Sequence, residues 1–144
     1  AANEIGTYLA LSLHAPTDDI REMIMPINKK FKIKELIAQC KYYSSVVKEK
    51  ITLEYVMLRG INDSMKCAEQ LVKLMAQFPC KVNLIEFNPW PGVQYLPTER
   101  NEMEEFGKII QEAGYVATIR RSRGQDILGA CGQLRTESQK IKQQ

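Results

Sequence analysis

The sequence has few of the residues that mark metal-binding or disulfide-built proteins. It contains one histidine, His14, and four cysteines, Cys40, Cys67, Cys80 and Cys131. No two cysteines stand at C-x-x-C spacing, and a single imidazole leaves a tetrahedral site short of ligands, which argues against zinc and predicts no metal ligand in this chain. No run of about 18 apolar residues occurs, so no transmembrane helix and no membrane partner are expected. The first residues show neither a basic region nor an apolar core, so no secretory signal is visible. Disulfide scaffolding is then not expected either, and reduced thiols in a cytoplasmic protein are the simple reading. Internal repeats and low-complexity stretches are absent. An initiating methionine is missing too, and a start at Ala1 fits a processed product or a piece of a longer protein.

What remains is ordinary for a globular chain. At 144 residues, 44% of them hydrophobic and 26% charged, it has the length of one domain or of part of a larger one. The net charge is only +3 but is unevenly placed. Arg120, Arg121, Arg123, Arg135, Lys140 and Lys142 face only Asp126 and Glu137 in the C-terminal stretch, and Lys29, Lys30, Lys32 and Lys34 form a second cluster. Such patches suit nucleic acid or another polyanion, and they equally describe a solvated face.

Along the chain, strand and helix patterns alternate. Thr7 to Leu13 reads as a short buried strand. Pro16 and Pro26 break the segment after it, which leaves room for one short helix near Asp18 to Met25. Ile33, Leu36, Ile37, Cys40, Tyr43 and Val47 recur at three- and four-residue steps, the signature of an amphipathic helix. Ile51 to Leu58 predicts a strand that Gly60 ends, and Asn62, Asp63 and Ser64 form a turn able to cap the next helix, which turns Ala68, Leu71, Val72 and Met75 inward. Lys81 to Phe87 is a third strand, followed by the loop Asn88-Pro89-Trp90-Pro91-Gly92. Thr98 opens a helix with Met103, Phe106, Ile110 and Ala113 inward, and Gly114 stops it in the position where glycine is favoured. Tyr115 to Ile119 is the last strand. The alternation predicts an α/β fold of parallel strands joined by right-handed crossovers, either a small open sheet or part of a larger barrel.

In such folds ligands gather at the carboxyl ends of the strands. There the sequence places Ser12-Leu13-His14, Arg59-Gly60, Asn88-Pro89 and the arginines that lead to Cys131. Taken singly, His14 and Asn88 suit structural roles as well as functional ones. Glu54, within the second strand, suits a hydrogen-bonding role inside a barrel or simple pairing with a nearby cation. The stretch RSRGQDILGACGQLR, residues 121–135, sets Cys131 between Ala130 and Gly132, with Gly124 and Gly129 upstream. Small neighbours allow close approach of a ligand, and nearby cations favour the nucleophilic thiolate. The same features fit a cysteine packed in a glycine-containing turn.

Four blocks in order, LSLHAPTDDIREMIMPINKKF, EYVMLRGINDS, CKVNLIEFNPWPG and RRSRGQDILGACGQL, resemble the C-terminal half of the radical-SAM dual-specificity 23S rRNA and tRNA adenine C2-methyltransferases. The resemblance covers roughly residues 6 to 138 and leaves 139 to 144 as a polar tail. It implies the C-terminal part of a partial TIM barrel, here a fragment lacking the upstream strands. By the same resemblance, Ser12, Leu13, His14 and Asn88 contact S-adenosylmethionine, and Cys131 is the cysteine that is methylated during turnover. Glu86 departs from the family at a position where proline is common.

The family's C-x-x-x-C-x-x-C motif for a 4Fe-4S cluster, its second cysteine and its glycine–glutamate segment do not occur in these residues. The resemblance therefore implies a cluster held by residues outside this chain and a fragment inactive alone. The parent enzyme would act on 23S rRNA and tRNA with a reducing electron donor. C2 of adenine is electron-poor and does not attack a methyl sulfonium, so the family's route is radical. By the resemblance, Cys131 would take a methyl group from one S-adenosylmethionine, lose a hydrogen atom from it to the 5′-deoxyadenosyl radical made from a second, add the resulting sulfur-bound methylene radical to C2, and be released through a disulfide with the upstream cysteine. Arg120, Arg121, Arg123, Lys29, Lys30 and Lys32 would meet RNA phosphates. Trp90 and Tyr95 suit stacking on a base or packing of the proline-rich loop. Other readings are a C8-specific rRNA adenine methyltransferase, a different radical-SAM enzyme sharing the half-barrel, and a non-catalytic RNA-binding α/β domain in which Cys131 only packs. Oligomeric state is not legible.

Overall fold

The computed structural model describes residues 9–121. Four parallel strands, β1 (Ala10–Ser12), β2 (Ile51–Met57), β3 (Cys80–Glu86) and β4 (Ala117–Arg120), lie side by side in chain order. Between them run α1 (Asp18–Ile24), a 3-10 turn (Pro26–Lys29), α2 (Ile33–Val46), α3 (Met65–Met75) and α4 (Arg100–Glu112). This is the α/β order the hydrophobic pattern predicts. Parallel neighbours need a crossover, and each gap holds a helix that supplies one.

The register sorts the side chains onto two faces. Leu53 lies beside Leu11 on one flank and Val82 on the other, and Tyr55 lies beside Leu84. With Ile51 and Met57, these residues of β2 are fully buried in a core they share with Ile37 and Cys40 of α2, Leu71 of α3 and Phe106 and Ile110 of α4. The Tyr55 and Phe106 rings meet at 5.4 Å. Gly107 lets α4 come close to β3, since a Cβ there would sit 3.3 Å from Leu84 Cδ1. The alternate residues, Ser12, Glu54 and Asn83, fall on the opposite face, where the described residues place no helix layer and all three remain half-buried. A smaller apolar group closes the carboxyl end of that face. Leu58 and Phe87 are its buried members, and Val56, Ile85, Trp90 and Tyr95 pack around them.

Several boundaries differ from the expected ones. β1 is shorter than Thr7–Leu13: it ends at Ser12 because the chain turns sharply at His14, and Thr7 lies outside the described residues. Thr98 does not open α4. Its hydroxyl donates to Asp63 Oδ2 at 2.8 Å, and Glu99 takes the cap position without a side-chain bond. Ala113 is exposed rather than inward. The Ser64 cap forms as expected, its Oγ accepting the Cys67 N–H at 3.1 Å. The proposed boundary at residue 138 and the polar tail lie outside the described residues. No helix among the described residues is long and apolar enough to cross a membrane.

The stop of α4 follows the glycine rule. Gly114 has φ 98°, its N–H bonds to the Gln111 carbonyl at 2.9 Å, and the Tyr115 N–H reaches back to Ile110 at 3.2 Å. This pair of bonds is a Schellman closure, which ends the helix and feeds the chain into β4. A Cβ at Gly114 would meet no atom within 4 Å, so the cost of one is backbone strain alone. Gly114→Ala is expected to lower the unfolding free energy by about 1 kcal/mol without altering the denaturant m-value, as read by urea titration.

Candidate active site at the carboxyl edge of the sheet

The carboxyl edge is built around the end of β1. Leu13 and His14 both donate their amide N–H to the Glu54 carbonyl, at 3.0 and 3.2 Å. His14 then adopts φ 58°, the one positive φ among the described non-glycine residues. The left-handed region costs a residue with a Cβ roughly 1 kcal/mol or more, so the surroundings have to impose it. They do so on both sides. Arg21, buried on α1, donates from Nη2 to the Ser12 carbonyl at 2.9 Å and from Nε to the Leu13 carbonyl at 3.0 Å. Asn62 Nδ2 donates to the His14 carbonyl at 2.8 Å.

The His14 ring is fixed as well. Its Nδ1 accepts the Val56 N–H at 3.0 Å, which leaves the proton of the neutral ring on Nε2. That Nε2 is buried and has no hydrogen-bond partner among the described residues. Burial, reinforced by the Arg21 charge, pushes the His14 pKa down to about 3. The imidazole is therefore neutral at physiological pH and presents one unsatisfied donor at the end of a strand.

Asn62 is the second organiser. Besides the His14 carbonyl it donates to the Val56 carbonyl at 2.8 Å, and its Oδ1 accepts the Leu58 N–H at 2.8 Å. Its own carbonyl accepts the Tyr55 hydroxyl at 2.6 Å, and burial holds that phenol's pKa well above its ordinary value, so the hydroxyl stays a donor. Asn28 and Asp18 complete the support of Arg21. Asn28 Oδ1 accepts from Arg21 Nη1 at 3.0 Å, and its Nδ2 donates to Asp18 Oδ1, which also accepts the Ile33 N–H that opens α2. Arg21, Asn28 and Asn62 escape sequence reading as site residues.

The other expected site residues fall in different places. Ser12, Leu13 and His14 come together at the end of β1, with Leu13 and His14 buried and Ser12 half-buried. Asn88 follows β3, half-buried on the same edge and two strands over from β1. Glu54 accepts from Asn83 Nδ2 at 3.5 Å on the open face. Trp90 packs edge-on against Phe87 at 5.6 Å, and Tyr95 donates its hydroxyl to the Met23 carbonyl, so both hold the proline-rich loop. Lys32 pairs with Glu22 at 3.3 Å, whereas Lys29 and Lys30 are exposed. Arg120 ends β4 exposed, next to exposed Arg121. Cys131 and Arg123 lie outside the described residues. The described thiols, Cys40, Cys67 and Cys80, are all buried, and burial raises Cys40 to about 11 and Cys80 to about 12. No group of three or more His, Cys, Asp or Glu side chains among the described residues is placed to hold a metal ion.

Because the His14 pKa is lower in the folded state than in the unfolded chain, the unfolded state takes up the extra proton. The stability it contributes is complete above about pH 6.5 and is lost as pH falls toward 3. His14→Asn keeps a left-handed-tolerant residue and an acceptor near Nδ1 but does not titrate. Chemical denaturation at pH 7 and pH 4.5 is expected to show a smaller acid-induced loss in His14→Asn than in the wild type, by an amount on the order of a few kcal/mol. Asn62→Ala leaves two carbonyls and an amide without their bonds and is expected to cost about 2–4 kcal/mol in the same assay at pH 7.

No protein-family model matches the chain. Two curated relatives are dual-specificity RNA methyltransferases RlmN, from Granulibacter bethesdensis at 54% identity over 138 residues and from Agrobacterium fabrum at 51% over 141. The matches cover 95% and 97% of this chain but only 35% and 34% of those proteins, so the chain spans about a third of their length. A radical SAM methyltransferase from Sphaerobacter thermophilus superposes with a TM-score of 0.82 at 42% identity, over 88% of this chain and 37% of that one. A domain of pyruvate-formate lyase-activating enzyme from Bacteroides vulgatus shares the fold alone, with a TM-score of 0.63 at 13% identity. Sharing about half of its residues with the two curated relatives and its fold with the radical SAM methyltransferase, the chain corresponds to the C-terminal part of the radical-SAM dual-specificity RNA methyltransferases.

Proposed function

We propose that this chain is the C-terminal part of an enzyme that methylates C2 of adenosine in 23S rRNA and in tRNA, with Ser12, Leu13, His14 and Asn88 binding S-adenosylmethionine and Cys131 carrying the methyl group. The observation that carries this reading is the match of nearly the whole chain, at about half identity, to dual-specificity RNA methyltransferases. The site geometry supports it. S-adenosylmethionine offers hydroxyl, ring-nitrogen and carboxylate acceptors, and His14 Nε2 is a buried donor with no partner among the described residues. The cofactor supplies the methyl group.

The chain's own residues orient and exclude. Arg21 and Asn62 fix the backbone around His14, and a neutral imidazole adds no second positive charge beside a sulfonium. The apolar group around Phe87 and Trp90 keeps water from one side of the edge. The described cysteines do not fit a 4Fe-4S cluster, because no three of the described residues' ligand side chains are grouped to hold a metal. The cluster is assigned to residues outside this chain, which alone would then be inactive. The parent enzyme would draw on a reducing electron donor and act in the cytoplasm. Residues 1–138 form the core segment of that enzyme, with 139–144 as a tail. Lys29, Lys30, Arg120 and Arg121, all exposed, are cations available for RNA phosphates.

Cys131→Ala in the full-length enzyme is expected to abolish methylation of adenine while RNA binding persists. Mass spectrometry of the product nucleoside reads the outcome, and C2 methylation at the normal rate would refute the role of Cys131. A product methylated at C8 would reassign the regiochemistry, and RNA binding with no methylation by the wild type would favour a non-catalytic module. RNA affinity is expected to fall as salt rises. Replacing Arg120 and Arg121 by Gln is expected to flatten the log–log salt dependence by about one unit for each phosphate left unneutralised.

A further inference from the structure

Arg21 stands outside the segment expected to touch the cofactor, yet two of its three guanidinium nitrogens are spent on that segment's backbone. It is 4% exposed. Its planar guanidinium meets the Ser12 carbonyl at 2.9 Å through Nη2 and the Leu13 carbonyl at 3.0 Å through Nε, so two successive peptide planes are set by one rigid fork. Nη1 meets Asn28 Oδ1 at 3.0 Å and the Phe31 carbonyl at 3.5 Å. These direct partners are all neutral. The nearest carboxylate, Asp18, acts through Asn28, and burial lowers the affinity of Arg21 for its proton while Asp18 raises it. A buried cation without a carboxylate in direct contact is an expensive way to satisfy two carbonyls. What it provides is geometry, because an ammonium is a point donor and cannot span both carbonyls and Asn28 in one plane.

That geometry acts on the next residue. The backbone passes from the extended strand at Ser12 to the left-handed region at His14, φ 58°, within two residues. Arg21 fixes the carbonyl before the switch and Asn62 the carbonyl after it.

We propose that Arg21 is a positioning residue for the cofactor segment, its fork on the Ser12 and Leu13 carbonyls holding His14 left-handed and so setting the backbone of the segment that meets S-adenosylmethionine. The inference rests on the cofactor reading given under Proposed function. The test uses the full-length enzyme that carries this segment, as wild type, Arg21→Lys, Asn28→Ala and the core control Ile110→Ala, whose side chain lies on the helix-covered side of the sheet. Binding of S-adenosylmethionine is read by equilibrium dialysis, with KM for cofactor and RNA and thermal melting alongside.

Arg21→Lys is expected to melt cooperatively and to weaken S-adenosylmethionine binding about ten-fold or more, with the RNA KM within about two-fold of wild type. Ile110→Ala, though less stable, is expected to bind the cofactor as the wild type does. A folded Arg21→Lys with unchanged cofactor affinity overturns the inference, as does an equal loss in the Ile110→Ala control. Should Arg21→Lys fail to fold, Asn28→Ala decides, since it leaves the bonds of Arg21 to the Ser12 and Leu13 carbonyls in place while removing a partner of Nη1 and the link to Asp18. A loss of about three-fold or more supports the inference, and none overturns it. Wild type that binds no S-adenosylmethionine overturns the cofactor reading itself, whereas wild-type binding with unaltered variants overturns this inference alone.

Discussion

At the junction of β1 and β2, side chains satisfy the backbone where a sheet would normally satisfy itself. Arg21 takes the carbonyls of Ser12 and Leu13, and Asn62 takes those of His14 and Val56 together with the Leu58 amide. A strand that leaves its ladder inside a protein strands polar groups that cost free energy unless they are paired. Here the pairing is done by two residues with planar, multidentate heads, and the chain can therefore make an abrupt turn at full burial. Everything at the carboxyl edge follows from that turn: the left-handed His14, the single tautomer of its ring and the direction in which the chain leaves toward α1.

The rest of the fold serves as a platform for this junction. Helices α2, α3 and α4 bury one face of the sheet, and the apolar stripe of β2 runs through the middle of that core. The other face is lined by Ser12, Glu54 and Asn83, polar groups that sit in register with one another across three strands. A polar face that no described helix covers is unusual on a parallel sheet, because such sheets are normally buried on both sides. It agrees with a chain that spans about a third of the length of its curated relatives.

How far the amino-acid sequence foretold this depends on the range of the interaction involved. Helices α2 and α3 and strands β2 and β3 were legible because their apolar periodicity is local and repeated. The Ser64 cap and the Gly114 stop were legible because a cap is a contact between near neighbours. Thr98 misled because its hydroxyl serves Asp63, a residue 35 positions away, rather than the helix that follows it. Ala113 misled because the Schellman closure lifts the last turn out of the core. Ser12, Leu13 and His14 were placed at the strand's carboxyl end by the apolar pattern of β1, and only their cofactor role came from family resemblance. Arg21 and Asn28 were invisible, since an arginine on a polar-looking seven-residue helix reads as surface until the tertiary fold brings strand-end carbonyls to it.

The thiols carry one more consequence. Cys40, Cys67 and Cys80 are packed against core side chains, and for Cys40 and Cys80 the surrounding apolar atoms hold the proton firmly on sulfur. Since alkylating and oxidising agents attack the anion, this core is chemically quiet near neutrality. A sulfur-directed reagent applied to the folded molecule would leave these three positions unlabelled, so adduct mass alone would report on Cys131, with no need to remove the other cysteines first.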